Sequence, residues 1–205
     1  MSEERIYQYP VWVRLWHMTN ALLCLTLILT GLSMQFSDPK YPLIRFDLSV
    51  SVHNIAGILL VFNYLFFFTG NLATVNGRQY KITSGIWSRL VIQFRYYLIG
   101  IFKNEPPPFP VTEERKFNPL QQFTYVFTLY GFVPVVFITG IALMYPDLIP
   151  TTVFAHSGLH ATDLLHIIAA FSISIFMFIH IYFCTVGKSP ISNFKSIING
   201  FHEPH

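Results

Sequence analysis

The sequence predicts an all-α membrane protein, a transmembrane four-helix bundle with an additional amphipathic surface helix in one long loop. Three observations carry that expectation. Of 205 residues, 53% are hydrophobic, 17% aromatic and 11% charged, where a soluble chain carries roughly a quarter of its residues as charges. Four runs each hold about the 20 apolar residues that a helix needs to cross a bilayer core. These runs lack the strict alternation of a barrel strand, and helices satisfy their own backbone groups in lipid. The same composition excludes a disordered tail, a collagen-like fibre and a disulfide-stapled secreted mini-domain. A formal charge of +3, scattered along the chain, excludes a nucleic-acid binder. The length is that of a single integral-membrane domain, residues 1–205.

The first run, about residues 11–34, follows Arg5 and contains Arg14. It exceeds a signal-peptide core and has no small-residue cleavage site before the next polar stretch, so it reads as a true span. The second covers about residues 49–70, and the third, about 118–145, contains Pro134, which predicts a kink. The fourth covers about residues 158–186. In the loop 71–117, Trp87, Leu90, Val91, Phe94, Leu98 and Ile101 recur at helical spacing with Arg89, Gln93 and Lys103 elsewhere on the wheel. That pattern predicts a helix lying on the membrane surface or docking a partner. Glu105 to Pro110 then reads as a stiff proline-rich spacer.

Lysines and arginines set the orientation, because they are retained on the cytoplasmic side. Eleven of the thirteen fall on one side: Arg5, Arg14, Arg78, Lys81, Arg89, Arg95, Lys103, Arg115, Lys116, Lys188 and Lys195. Lys40 and Arg45 fall on the other. Both termini are therefore expected on the inner, cytoplasmic face of a multi-pass protein. Cys24 and Cys184 are the only cysteines and both sit in apolar runs, so no disulfide framework or cysteine zinc site can form. No CxxCH motif is present for covalent haem attachment.

His17, His53, His166 and His180 lie inside the spans, where an ionisable side chain is expensive and usually functional. Their depths pair: His17 and His180 at an inner level, His53 and His166 at an outer one. The 14-residue interval from His166 to His180 falls about 40° short of four helical turns and spans roughly 21 Å. One helix thus offers an imidazole to each of two stacked levels. The residues one turn after these histidines, Ala21, Gly57, Ala170 and Cys184, are all small, which leaves room beside each ring. Two imidazoles per level suit the iron of a haem, with His17 and His180 the axial ligands of one haem b and His53 and His166 of the other. Iron ligated on both faces has no open site and passes electrons. Two separated pairs do not offer the three or four ligands zinc requires. The alternatives are packing histidines, or a proton conduit or transporter in which the same residues relay protons. His156 and His160, at i and i+4, read as solvent-facing or partner-facing residues rather than a metal pair. His202 and His205 carry no clear signal.

RLWHMTNAL at residues 14–22, His53 followed by Gly57, LLHIIAAF around His166 and IHIY around His180 resemble the bacterial di-haem cytochrome b family. That family includes membrane subunits of formate dehydrogenases, nickel-iron hydrogenases and thiosulfate reductases. The resemblance spans nearly the whole chain and implies the same ligand pairs. KFNPLQ, residues 116–121, resembles the entry to the family's third helix. By that resemblance Asn118 and Gln121 border a pocket for a quinone, menaquinone or ubiquinone, next to the inner haem. Asn118 before Pro119 is equally explained as a helix cap, and the two roles are compatible. TVGKSP, residues 185–190, is similar to the family's closing segment, with Lys188 where many relatives carry His. The resemblance further implies an Fe–S subunit and a catalytic subunit on the outer face, and a bacterial inner-membrane location. The chain holds no complete catalytic site for a polar substrate. Arg14, one turn before His17, is a candidate partner for a haem propionate, and Arg45 is a second candidate or an interfacial anchor. Asp163, three residues before His166, is a candidate hydrogen-bond partner for that imidazole or a first-turn acid with no further role.

Overall fold

The computed structural model describes residues 6–38, 40–153, 155–187 and 189–202; Arg5, Lys188 and His205 lie outside them. The protein is an all-α transmembrane bundle. Four helices are long and apolar enough to cross a membrane: Val11–Gln35, Phe46–Ala73, Pro119–Met144 and Gly158–Cys184. The first two are α1 and α2. The third consists of α4 (Pro119–Phe127), a π-helical turn (Thr128–Phe132) and α5 (Val133–Met144), and the fourth is α6. Between α2 and α4 runs α3 (Ile86–Arg95), extended by a π turn to Gly100, and α7 (Ser192–Asn199) follows α6. Strands among the described residues are two-residue pairs: β1 (Ile6–Tyr7) with β4 (Phe201–His202), and β2 (Thr152–Val153) with β3 (His156–Ser157).

The departures at the starts of the second and third spans have local causes. The second span begins at Phe46, three residues early, with Asp47 in its first turn, where a carboxylate complements the free N–H groups. The third begins at Pro119 because Asn118 caps it: its Oδ1 accepts from Gln121 N at 2.9 Å, and Gln121 Oε1 accepts from Asn118 N at 3.1 Å. Pro134 has no N–H to return to the preceding turn. The helix accommodates this by widening into the π turn immediately before it, without breaking. Proline is thus absorbed as a register change.

The chain divides into two compact units. One comprises Leu15–Thr69 and Tyr130–Phe178, the segments of all four spans that carry His17, His53 and His166. Its core is Leu23, Ala56 and Leu60, packed by Cys24, Leu27 and Phe137. Trp16 stacks on the fully buried Phe67, with ring centroids 3.9 Å apart. Long apolar side chains such as Leu22, Phe62, Phe171 and Phe178 stay exposed, as expected of surfaces whose solvent is lipid. The loop between α1 and α2 is pinned from inside: Ser33 Oγ accepts from Ile44 N at 3.0 Å, and buried Ser49 donates to Ser33 at 3.3 Å.

The other unit gathers the described residues up to Arg14, Gly70–Leu129, and those from Ile179 onward. Within it β1 pairs antiparallel with β4, and Gly200 O accepts from Gln8 N and Tyr9 N. Gly200 turns with φ +91°, a conformation open to glycine. The expected loop helix is present as α3. It buries Ile86 and Gln93 while Trp87, Val91, Phe94 and Leu98 are exposed. A helix with glutamine inward and its apolar stripe outward fits an apolar surround.

Candidate haem site

His53 of α2 and His166 of α6 meet in the first unit with ring centroids 6.3 Å apart and ring planes 68° apart. Two metal–imidazole bonds of about 2 Å each, plus the distance from nitrogen to ring centre, place such centroids roughly 6.3 Å apart. The pair therefore has the spacing that one metal ion between two imidazoles requires. Among the described residues no group of three or more His, Cys, Asp or Glu could hold a metal ion.

Neighbouring hydroxyls orient both rings. Thr30 Oγ1 lies 2.9 Å from His53 Nδ1, and Thr139 Oγ1 lies 2.9 Å from His166 Nδ1. Each threonine also donates its hydroxyl proton one turn back, to Thr26 O or Val135 O, at 2.7 Å. With its proton committed, the oxygen can only accept, so the imidazole must be the donor. That places the ring proton on Nδ1 and leaves the Nε2 lone pair available to a metal. Space is provided by glycine. A Cβ at Gly140 would come within 3.2 Å of His166 Cε1, and one at Gly31 within 3.5 Å of His53 Cε1. The residues present fit a bis-imidazole haem iron.

Thr30, Gly31, Thr139 and Gly140, which contact the two imidazoles, are residues that spacing did not single out. A signal existed, since Thr–Gly recurs at Thr30–Gly31 and Thr139–Gly140. It also occurs at Thr69–Gly70, where the threonine is exposed and bonds its own helix, so the dipeptide alone is not diagnostic. Asp163 follows the plainer of its two readings: it is exposed and makes no hydrogen bond to His166, whose Nδ1 lies 2.9 Å from Thr139 Oγ1. Span three, which has no histidine, instead supplies the orienting groups.

His17 sits on α1 in the first unit, its ring edge-on to Trp16 at 6.3 Å. His180 belongs to the second unit. Its Nδ1 lies 3.2 Å from Tyr125 Oη, and its Nε2 lies 3.7 Å from Cys184 Sγ. Aromatic rings crowd this end of α6: Phe117 packs edge-on to Tyr125 at 4.8 Å, and Tyr97 packs on Phe183 at 4.9 Å. Asn118 joins them by donating to Tyr97 Oη at 2.8 Å. Burial raises the Tyr97 phenol above its ordinary pKa. Asn118 and Gln121 are thus brought together as the capping pair, with Asn118 also reaching the aromatic cluster.

Beside that cluster the Lys116 ammonium donates to Asn76 Oδ1 at 2.7 Å and lies 5.6 Å from the Tyr9 ring centre. Asn76 in turn donates to Asn71 Oδ1 at 2.7 Å. Burial pulls Lys116 down to about 8 and pushes Tyr9 up to about 12. Arg14 donates to Ile198 O at the end of α7. Arg45 pairs with Asp47 at 2.7 Å. His156 and His160 are exposed.

Spanning helices that bring two hydroxyl-oriented imidazoles to metal-bridging distance define a class, the membrane cytochromes b. The family model for prokaryotic cytochrome b561 matches residues 8–200, and the chain belongs to that family. It is also 39% identical over 201 residues to the cytochrome YdhU of Escherichia coli (strain K12), covering 97% of this chain and 75% of that protein. The chain is accordingly a multi-pass bacterial membrane protein that binds haem b and transfers electrons.

Proposed function

We propose that the chain is a di-haem b subunit that passes electrons between a membrane quinone and an Fe–S partner of a respiratory oxidoreductase. The observation that carries this is the His53–His166 pair, 6.3 Å apart with each Nδ1 bonded to a threonine hydroxyl. Haem b, when held by two imidazoles, would supply a one-electron carrier with no position for a substrate. The protein's part is to hold the imidazoles, fix their tautomers and keep the surroundings apolar. His53 and His166 are the outer ligands. His17 and His180 are the inner ones, on the strength of their sequence depths and of the family resemblance. Tyr125, 3.2 Å from His180 Nδ1, stands where a threonine stands at the outer level.

The quinone reading rests on the ring cluster of Tyr97, Phe117, Tyr125 and Phe183 around His180, with Asn118 at its edge. An amide nitrogen has two donors, and Asn118 uses one on Tyr97, which leaves the other for a quinone carbonyl. Lys116, half-buried, is the nearby group able to exchange a proton close to neutral pH. The Fe–S and catalytic partners would dock at the opposite, outer level. Both termini face the cytoplasm in this arrangement.

A pyridine haemochrome count on detergent-purified protein, repeated for His166→Ala and His180→Ala, tests the proposal. Two haems b per chain, with one lost in each variant, are expected. One haem in the wild type would remove the inner pair. A colourless folded protein would overturn the electron-transfer role and favour proton conduction.

A further inference from the structure

The second unit contains a cleft of about 190 Å³ that shares Phe117 with the ring cluster of the quinone reading but whose basic lining neither the haem nor the quinone reading uses. Its lining includes Arg78, Lys81, Arg89 and Arg115, against one carboxylate, Glu114. Among the described residues Glu114 lies within ion-pair distance of none of the four; the ion pairs there are Arg45–Asp47 and Arg95–Glu105. Four cations thus share one concavity with a single carboxylate that pairs with none of them.

The walls are fastened to each other. Gln79 donates to Glu114 O at 2.9 Å and accepts from Lys116 N at 3.0 Å, joining the turn that carries Arg78 to the segment that carries Arg115. Gln122 of the third span donates to Gln79 O at 2.9 Å, tying both to the membrane helix. Two of the cations are pre-positioned. Arg115 donates through Nε and Nη2 to Pro110 O with its guanidinium 5.6 Å from the Phe109 ring centre, and Arg89 donates to Thr83 Oγ1 at 2.8 Å. An arginine has five N–H donors, so both keep donors for a ligand. The Arg78 and Lys81 side chains make no hydrogen bond to another described residue.

Convergent guanidinium and ammonium groups match the oxygens of a phosphate. At roughly 30 Å³ per water, the cleft holds about six waters' volume, enough for a phosphate and its ester group. The location indicates the source. Pro119 and Gln122, in the first turn of a membrane-spanning helix, form part of the lining, and Arg89 projects from α3, whose stripe of Trp87, Val91, Phe94 and Leu98 is exposed. We propose that this cleft binds a phosphate-bearing anion, and that the anion is the headgroup of an anionic phospholipid.

Native mass spectrometry of the haem-loaded protein, released from micelles doped with phosphatidylglycerol or phosphatidylcholine, reads the site directly. Phosphatidylglycerol is expected to stay bound in preference to phosphatidylcholine. Arg78→Gln with Lys81→Gln is expected to weaken it at least about tenfold, since each basic group near an anionic headgroup contributes substantially. Arg95→Gln with Lys103→Gln removes the same charge from the same loop outside the cleft and is expected to change retention by less than about threefold. An unchanged haem spectrum confirms folding in all variants. Equal losses from the two double variants would overturn the site in favour of diffuse charge, and retention insensitive to both would overturn it outright. Equilibrium dialysis with inorganic phosphate separates the sources. Phosphate binding that is lost in Arg78→Gln/Lys81→Gln, without lipid retention in the wild type, would keep the phosphate site and overturn its lipid ligand.

Discussion

The hydroxyls of Thr30 and Thr139 each donate to a carbonyl one turn back and accept from an imidazole Nδ1. A ring whose Nδ1 proton is shared with an acceptor is a more basic ligand and favours ferric over ferrous iron. Thr139→Val or Thr30→Val is therefore expected to raise the midpoint potential of the haem held by His53 and His166. With a net hydrogen bond at about 0.5–1.5 kcal/mol, the rise is on the order of 20–60 mV. Thr→Ser should restore the potential, and a redox titration that finds wild-type and Val variants identical would sink the assignment. The two glycines differ in tolerance. Gly140→Ala puts a methyl 3.2 Å from His166 and is expected to lower haem occupancy, whereas Gly31→Ala, at an ordinary 3.5 Å contact, should leave it near wild type in the haemochrome assay.

The capping box at the start of α4 separates two roles that sequence left joined. Asn118→Ala is expected to cost about 1 kcal/mol of stability. Asn118→Asp keeps the cap oxygen and removes the amide donor. If Asn118 contacts a quinone, quinol-driven haem reduction slows in both variants while thermal stability falls only in the alanine variant. A rate that simply follows stability leaves Asn118 as a cap. Lys116, in the segment leading into α4, gives the stability a pH signature. Its folded value of about 8 lies below the roughly 10.4 of an unfolded lysine, so between about pH 8 and 10 the unfolded chain binds more protons. Stability from this group therefore rises with pH across that window. Below it, the cost of burying the ammonium is present in full. Thermal unfolding of Lys116→Met, compared with wild type over the same range, should show the wild type gaining on the variant as pH rises. Tyr9, held near 12, acts in the opposite direction only above about pH 10.

At the scale of the whole molecule, charge asymmetry predicts topology. A C-terminal green fluorescent protein fusion should fluoresce, and an alkaline phosphatase fusion in the loop between the third and fourth spans should be active; the reverse pattern would invert the proposed membrane orientation. What was legible in the sequence alone follows from where each property resides. Apolar run length, helical pitch and the sidedness of lysine and arginine are one-dimensional, and they sufficed for four spans, the loop helix and the depths of His53 and His166. The cap at Asn118 was equally readable, because it closes within four residues. For Asp163 the chain left two roles open, a first-turn acid or the partner of His166. The structure gives that place to Thr139, because a neighbouring helix presents its hydroxyl at 2.9 Å while Asp163 is exposed. Likewise three Thr–Gly pairs look alike in the chain, and only the lateral packing of α1 on α2 and of α5 on α6 decides that two of them face imidazoles. Length and pitch act along one helix, so the membrane class and the common depth of His53 and His166 could be read from the chain. Which hydroxyl holds which imidazole, and which cations share a cleft, could be read from the folded chain alone, because those contacts depend on how segments distant in sequence are rotated and packed against each other.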